Sequence, residues 1–77
     1  MAEKQLNELK KGEKGKIVRI TGNSSVFRRL LDLGVVKGSE IEMKGVAPLG
    51  DPIEIKIKGY NLSLRKSEAA GIIVEVQ

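Results

Sequence analysis

Apolar and polar residues alternate with a period of two along most of this chain. Ile41 and Met43 alternate with Glu40, Glu42 and Lys44, and Ile53, Ile55 and Ile57 alternate with Glu54, Lys56 and Lys58. A period of two marks strands with one buried face. Folding these two runs antiparallel sets Glu40 against Lys58, Glu42 against Lys56 and Lys44 against Glu54. The same register places Ile41 against Ile57 and Met43 against Ile55. Every facing charged pair is then opposite in sign, as cross-strand pairing favours, and a slip of one residue would turn the isoleucines into water.

A second hairpin is expected to turn at Gly59-Tyr60, with glycine first as a type II′ turn prefers. It sets Ile57 against Leu62, Ile55 against Leu64 and Glu54 against Arg65, giving an outer row of Lys44, Glu54 and Arg65. Residues 16–20, with β-branched Ile17 and Val18, read as a further strand, and Ile72–Val76 as the last. The period changes to helical once. In residues 26–33, Phe27, Leu30, Leu31 and Gly34 recur at helical spacing and predict one buried stripe. Residues 22–25 form a loop in which Ser25 or Ser24 caps the helix. Gly34 stops it in a left-handed conformation, and Val35 folds back onto Leu30. Leu6 and Leu9 predict one anchoring turn near the N-terminus, Gly12 and Gly15 bracket a turn, and residues 66–71 predict one helical turn ended by Gly71. The expected fold is all-β with one short α-helix. Five strands with one apolar face curl into a small five-stranded SH3-like barrel, a single domain over residues 1–77.

Composition narrows the chemistry. The 77 residues imply a stability of roughly 4–12 kcal/mol on per-residue scaling. The chain has no cysteine and no histidine, which removes the thiolate and imidazole ligands of transition metals and the commonest general base. The ten acidic residues mostly alternate with lysines, so a metal would find only Asp51 and loop carbonyls, a weak site for a hard cation. Ser24, Ser25, Ser63 and Ser67 have no histidine to activate them, and the glycines serve turns without P-loop spacing. No enzyme and no cofactor are expected. No apolar run is long enough to cross a bilayer and no signal peptide is evident, so a cytoplasmic protein is expected. The net charge is +4, and residues 1–20 hold most of it, with Lys4, Lys10, Lys11, Lys14, Lys16 and Arg19 set against Glu3, Glu8 and Glu13.

The segment RRLLDLGVVKG, the loop APLGDP, the run IEIKIKGYNLSLR and the ending SEAAGIIVE together resemble the FeoA family. Leu6, Leu9, Gly12 and Gly15 also match the family's opening pattern. The resemblance covers essentially the whole chain and departs at Lys37, where many members carry proline before the glycine matching Gly38. It implies a small SH3-like barrel of bacterial ferrous iron uptake. It also implies a non-enzymatic accessory protein whose partner is the FeoB-like ferrous iron permease, met at its cytosolic GTPase region or its membrane part. The domain would then be peripheral to the inner membrane through that partner.

Six residues are candidates for the partner contact. Arg28 and Arg29 lie near the positive end of the helix dipole and Asp32 near the negative end, placements that oppose the dipole. Either they face a partner, or Asp32 pairs with one arginine along the helix for about 0.3–0.5 kcal/mol. Pro48 and Pro52 stiffen the loop that carries Leu49, Gly50 and Asp51. Leu49 falls outside the alternation and either contacts a partner or plugs one end of the barrel. Gly34, Gly38 and Gly59, with the two prolines, are structural turn residues. An exposed Ile72–Val76 edge would also permit weak self-association. A small RNA-binding barrel is the alternative that the positive charge allows, but Phe27 and Tyr60 offer no stacking platform on a sheet face.

Overall fold

The isoleucine-rich runs form the centre of one antiparallel sheet. The computed structural model describes residues 2–22 and 24–77, with Ser24 described by its backbone only. The elements in chain order are β1 (Glu3–Gln5), a 3-10 turn (Leu6–Glu8), β2 (Lys14–Ile20), α1 (Ser24–Asp32), β3 (Glu40–Val46), β4 (Ile53–Ile57), β5 (Tyr60–Leu64), α2 (Lys66–Ala69) and β6 (Ile72–Val76). Six strands run in the order β1-β6-β2-β3-β4-β5. The alternating residues bury on one side: Ile17, Ile41, Met43, Ile53, Ile55, Ile57, Leu64, Ile72 and Val74 are each 2% exposed or less. Leu6, Leu9 and Leu30 close the same core, as the N-terminal turn and the helix lead one to expect.

The expected five strands become six. The addition is β1, a three-residue strand, Glu-Lys-Gln, that carries no apolar alternation to announce it. It pairs with β6, which also pairs with β2, so Ile72–Val76 lies inside the sheet. The expected exposed edge at β6 is therefore absent, so this strand offers no free edge for self-pairing. The expected turn at Gly12 forms, with φ of 90°. Gly15, by contrast, lies in β2, and an added Cβ would stand 2.9 Å from the Glu75 carbonyl oxygen.

The first hairpin follows the charge pattern for half its length. Ile41 pairs with Ile57, Glu42 with Lys56 and Met43 with Ile55, but a bulge then makes Gly45, not Lys44, the partner of Glu54. Lys44 instead reaches Glu42 on its own strand, Nζ to Oε2 3.7 Å.

The second hairpin turns one residue earlier than expected. Lys58 and Gly59 both have positive φ, 52° and 85°, the requirement of a type I′ turn. Ile57 therefore pairs with Tyr60, Ile55 with Leu62 and Ile53 with Leu64, and Glu54 faces Ser63 rather than Arg65. The expected row of Lys44, Glu54 and Arg65 does not form.

Helix α1 begins at Ser24, two residues before the apolar pattern, so Ser25 lies inside its first turn. The cap assigned to Ser24, and the part of the loop at Asn23, lie outside the described residues. The C-terminal stop is as expected. Gly34 has φ of 85°, its N–H donates to the Leu31 carbonyl at 3.0 Å, and the Val35 N–H donates to the Leu30 carbonyl at 2.9 Å. These are the two bonds of a Schellman cap. The expected buried stripe is corrected: Leu30 is fully buried, but Phe27 is 40% and Leu31 43% exposed. A nine-residue helix resting on the sheet through one line of contact covers only part of its apolar face.

The helix end is fastened to the second hairpin. The Tyr60 hydroxyl donates to the Leu33 carbonyl. Tyr60→Phe removes this bond alone and is expected to cost about 0.5–1.5 kcal/mol, read as a lower denaturation midpoint with an unchanged slope.

Candidate partner-binding surface

The six candidates divide into residues tied into the fold and residues left outward. Arg29 belongs to the first group. Its Nη1 lies 2.5 Å from Glu68 Oε2, across 39 positions of sequence, and the Glu68 side chain is only 7% exposed. The other oxygen of Glu68 accepts the Arg65 N–H at 2.9 Å. One buried carboxylate thus caps the start of α2 and receives the guanidinium of α1. Neither orphan N–H nor buried charge is left unanswered. The helix-internal pairing of Arg29 with Asp32 does not occur.

Asp51 belongs to the same group. Its Oδ1 accepts the Lys66 N–H at 2.9 Å, so the loop between β3 and β4 is pinned to the first turn of α2. The loop is held internally as well. The Gly50 N–H donates to the Ala47 carbonyl at 2.7 Å and the Ala47 N–H to the Pro52 carbonyl at 3.0 Å. Pro48 occupies the second position of the turn that spans residues 47–50, where its fixed φ fits, and Gly50 follows with φ of 88°. The Asp51–Pro52 peptide is cis. Gly38, at φ of 92°, completes the turn leading into β3.

Leu49 is 96% exposed at the tip of this loop. The plug reading fails, since a residue so exposed fills no core. Val46, at the end of β3, is also 52% exposed. Arg28 and Asp32 are exposed, and neither forms an ion pair among the described residues. Loop and helix are linked through α2, which binds Asp51 at Lys66 and Arg29 at Glu68. Glu68 was absent from the candidates. Its only sequence signal is an acid three residues after Arg65, half of a capping box.

The polar face of the sheet is mixed in sign. Lys14 faces Glu42 and Glu42 faces Lys56 across three strands, while Lys16 lies between Glu40 and Glu75. Such rows give no continuous basic track for a phosphate backbone. Among the described residues no group of three acidic, histidine or cysteine side chains is placed to hold a metal ion. No described helix is long and apolar enough to cross a membrane.

The FeoA domain family matches residues 4–76. The chain is 47% identical to a FeoA-like protein from Clostridium acetobutylicum, covering 99% of this chain and 88% of that one, with a TM-score of 0.90. It is 31% identical to FeoA of Stenotrophomonas maltophilia, a prokaryotic SH3 domain protein solved in complex with zinc, over 91% and 87% of the two chains, with a TM-score of 0.77. It is also 42% identical over 72 residues to an Fe(2+) transport protein A/Fe(2+) transporter FeoB fusion protein of Porphyromonas gingivalis; this spans 94% of the chain but 8% of that protein. Fold, matched residues and relatives agree: the chain belongs to the FeoA family, an SH3-like domain family linked to ferrous iron transport.

Proposed function

We propose that this domain is a non-catalytic adaptor that binds a FeoB-like ferrous iron permease through protein–protein contacts and does not itself carry the metal. The observation that carries this reading is the P. gingivalis protein, in which a segment 42% identical to this chain is joined to FeoB in one polypeptide. Fusion keeps two modules at high effective concentration, which is useful only where they act together. The residues support the reading in kind. The chain has no cysteine or histidine with which to hold Fe²⁺ tightly. It presents instead a stiff loop with an exposed apolar tip, a form of contact that loses little entropy on binding.

On this reading the domain works at the cytosolic face of the membrane, held there by its partner, and Leu49 and Arg28 are contact residues. Leu49→Ser is expected to leave the melting temperature unchanged, because the side chain is 96% exposed. It is also expected to weaken binding to the purified GTPase region of the permease by about 1–2 kcal/mol. Equal affinity of Leu49→Ser and the parent would remove the loop from the interface. A tight stoichiometric Fe²⁺ complex of the isolated domain, seen by equilibrium dialysis, would overturn the exclusion of metal carriage.

A further inference from the structure

A groove of about 500 Å³ runs between α1 and β2. Among the described residues it is lined by Val18, Arg19, Ile20, Phe27, Leu31 and Lys37. Its origin is local. The β2–β6 register shifts between Ile17 and Arg19, so Val18 is an extra residue in a bulge, a device that re-aims side chains and bends a strand. The helix above it leaves Phe27 and Leu31, one turn apart, 40% and 43% exposed. Four of the six lining residues are apolar and both charged ones are cations. Arg19 has a partner in Glu3, at 3.4 Å between two half-exposed groups, a contact weak enough to be exchanged for another carboxylate.

We propose that this groove is a docking site for an acidic amphipathic helix of a partner protein, with apolar side chains entering between Phe27, Leu31 and Val18 and carboxylates meeting Lys37 and Arg19. The inference deepens the adaptor reading and rests on it for the origin of the helix. The volume suits a few inserted side chains, and helix-in-groove recognition uses apolar anchors at i and i+4 with specificity at the charged rim. A second copy of this chain is disfavoured: a two-fold contact through this face would set Arg19 and Lys37 against the same cations. An anionic bilayer matches the charge, but its flat face does not fill a concave cleft.

The test uses the full chain and two synthetic helices of roughly 18 residues, each with leucines at i and i+4, one flanked by glutamates and the other by lysines. The acidic helix is expected to bind saturably. It should shift the amide resonances of residues 18–20, 27, 31 and 37, and lose about tenfold in affinity with Lys37→Glu, an exposed change that leaves the melting temperature in place. The lysine helix is expected to bind at least tenfold more weakly. Failure of the acidic helix to bind, equal binding of both helices, or shifts located elsewhere would overturn the proposal. So would a dimer that buries this groove, or phosphatidylserine vesicles shifting these amides where the acidic helix does not. If the acidic helix binds here but no part of the permease does, the groove stands and the adaptor reading fails. If the permease binds while these amides stay unmoved, the reverse holds.

Discussion

Arg29→Ala is expected to lower the melting temperature by about 8–16 °C, whereas Arg28→Ala on the same helix is expected to leave it within the error of measurement. The first value corresponds to about 2 kcal/mol. The two arginines are adjacent in sequence and indistinguishable by composition, yet only Arg29 answers a buried carboxylate. Its Nη1 stands 2.5 Å from Glu68 Oε2, and the Glu68 side chain is 7% exposed. Truncating Arg29 leaves that carboxylate with the Arg65 N–H as its remaining partner, and an uncompensated buried charge costs more than the pair contributed. The loss stays moderate because the Arg29 side chain is itself 52% exposed and screened by water. Thermal melts of the two variants check this directly. A melt of Arg29→Ala superimposable on the parent would show that Glu68 is satisfied without it. The consequence for binding studies is practical. Arg28 is the clean probe of the helix surface, while any loss of affinity at Arg29 mixes recognition with folding.

Gly71→Ala is expected to be worse, at about 3 kcal/mol, a large share of the roughly 4–12 kcal/mol that a chain of this size commands. A Cβ on Gly71 would lie 2.5 Å from the Thr21 carbonyl oxygen. The obstacle is backbone, so no side chain can rotate aside. The approach is close because the ends of β2 and β6 are tied there. The Thr21 N–H donates to the Gly71 carbonyl at 2.6 Å and the Thr21 hydroxyl donates to the same oxygen at 3.1 Å. Denaturant unfolding measures the effect, with a lower midpoint and an unchanged slope expected. Parental stability of Gly71→Ala would mean that the two segments stand further apart than described.

Much of this architecture was legible in the alternation, and its failures have physical causes. The β3–β4 register was readable from charge as far as Met43, because each facing pair was opposite in sign. It failed beyond, where the bulge before Gly45 changes the partner without changing any residue type. The β4–β5 register was misread by two positions. A shift of two preserves which face every side chain takes, so burial alternation cannot detect it. The turn that decides it, Lys58-Gly59, carries a lysine where asparagine would have announced positive φ. Helical spacing identified the apolar face of α1 but not how much of it the sheet would cover, which is why Phe27 and Leu31 emerge half exposed. Arg29 and Glu68 meet across 39 positions, beyond the reach of any local pairing rule. The APLGDP loop was read as stiff, and its internal bonds agree. That Asp51 anchors to α2 required the tertiary structure.

The central claim is tested most directly by calorimetric titration of this domain into the purified cytosolic GTPase region of a FeoB-like permease, at low and at physiological salt. The adaptor account predicts saturable one-to-one binding that weakens as salt rises, with Leu49→Ser and Arg28→Ala each reducing affinity while the fold holds. Heats that never depart from dilution at either salt concentration, with the membrane part of the permease equally silent, would contradict it.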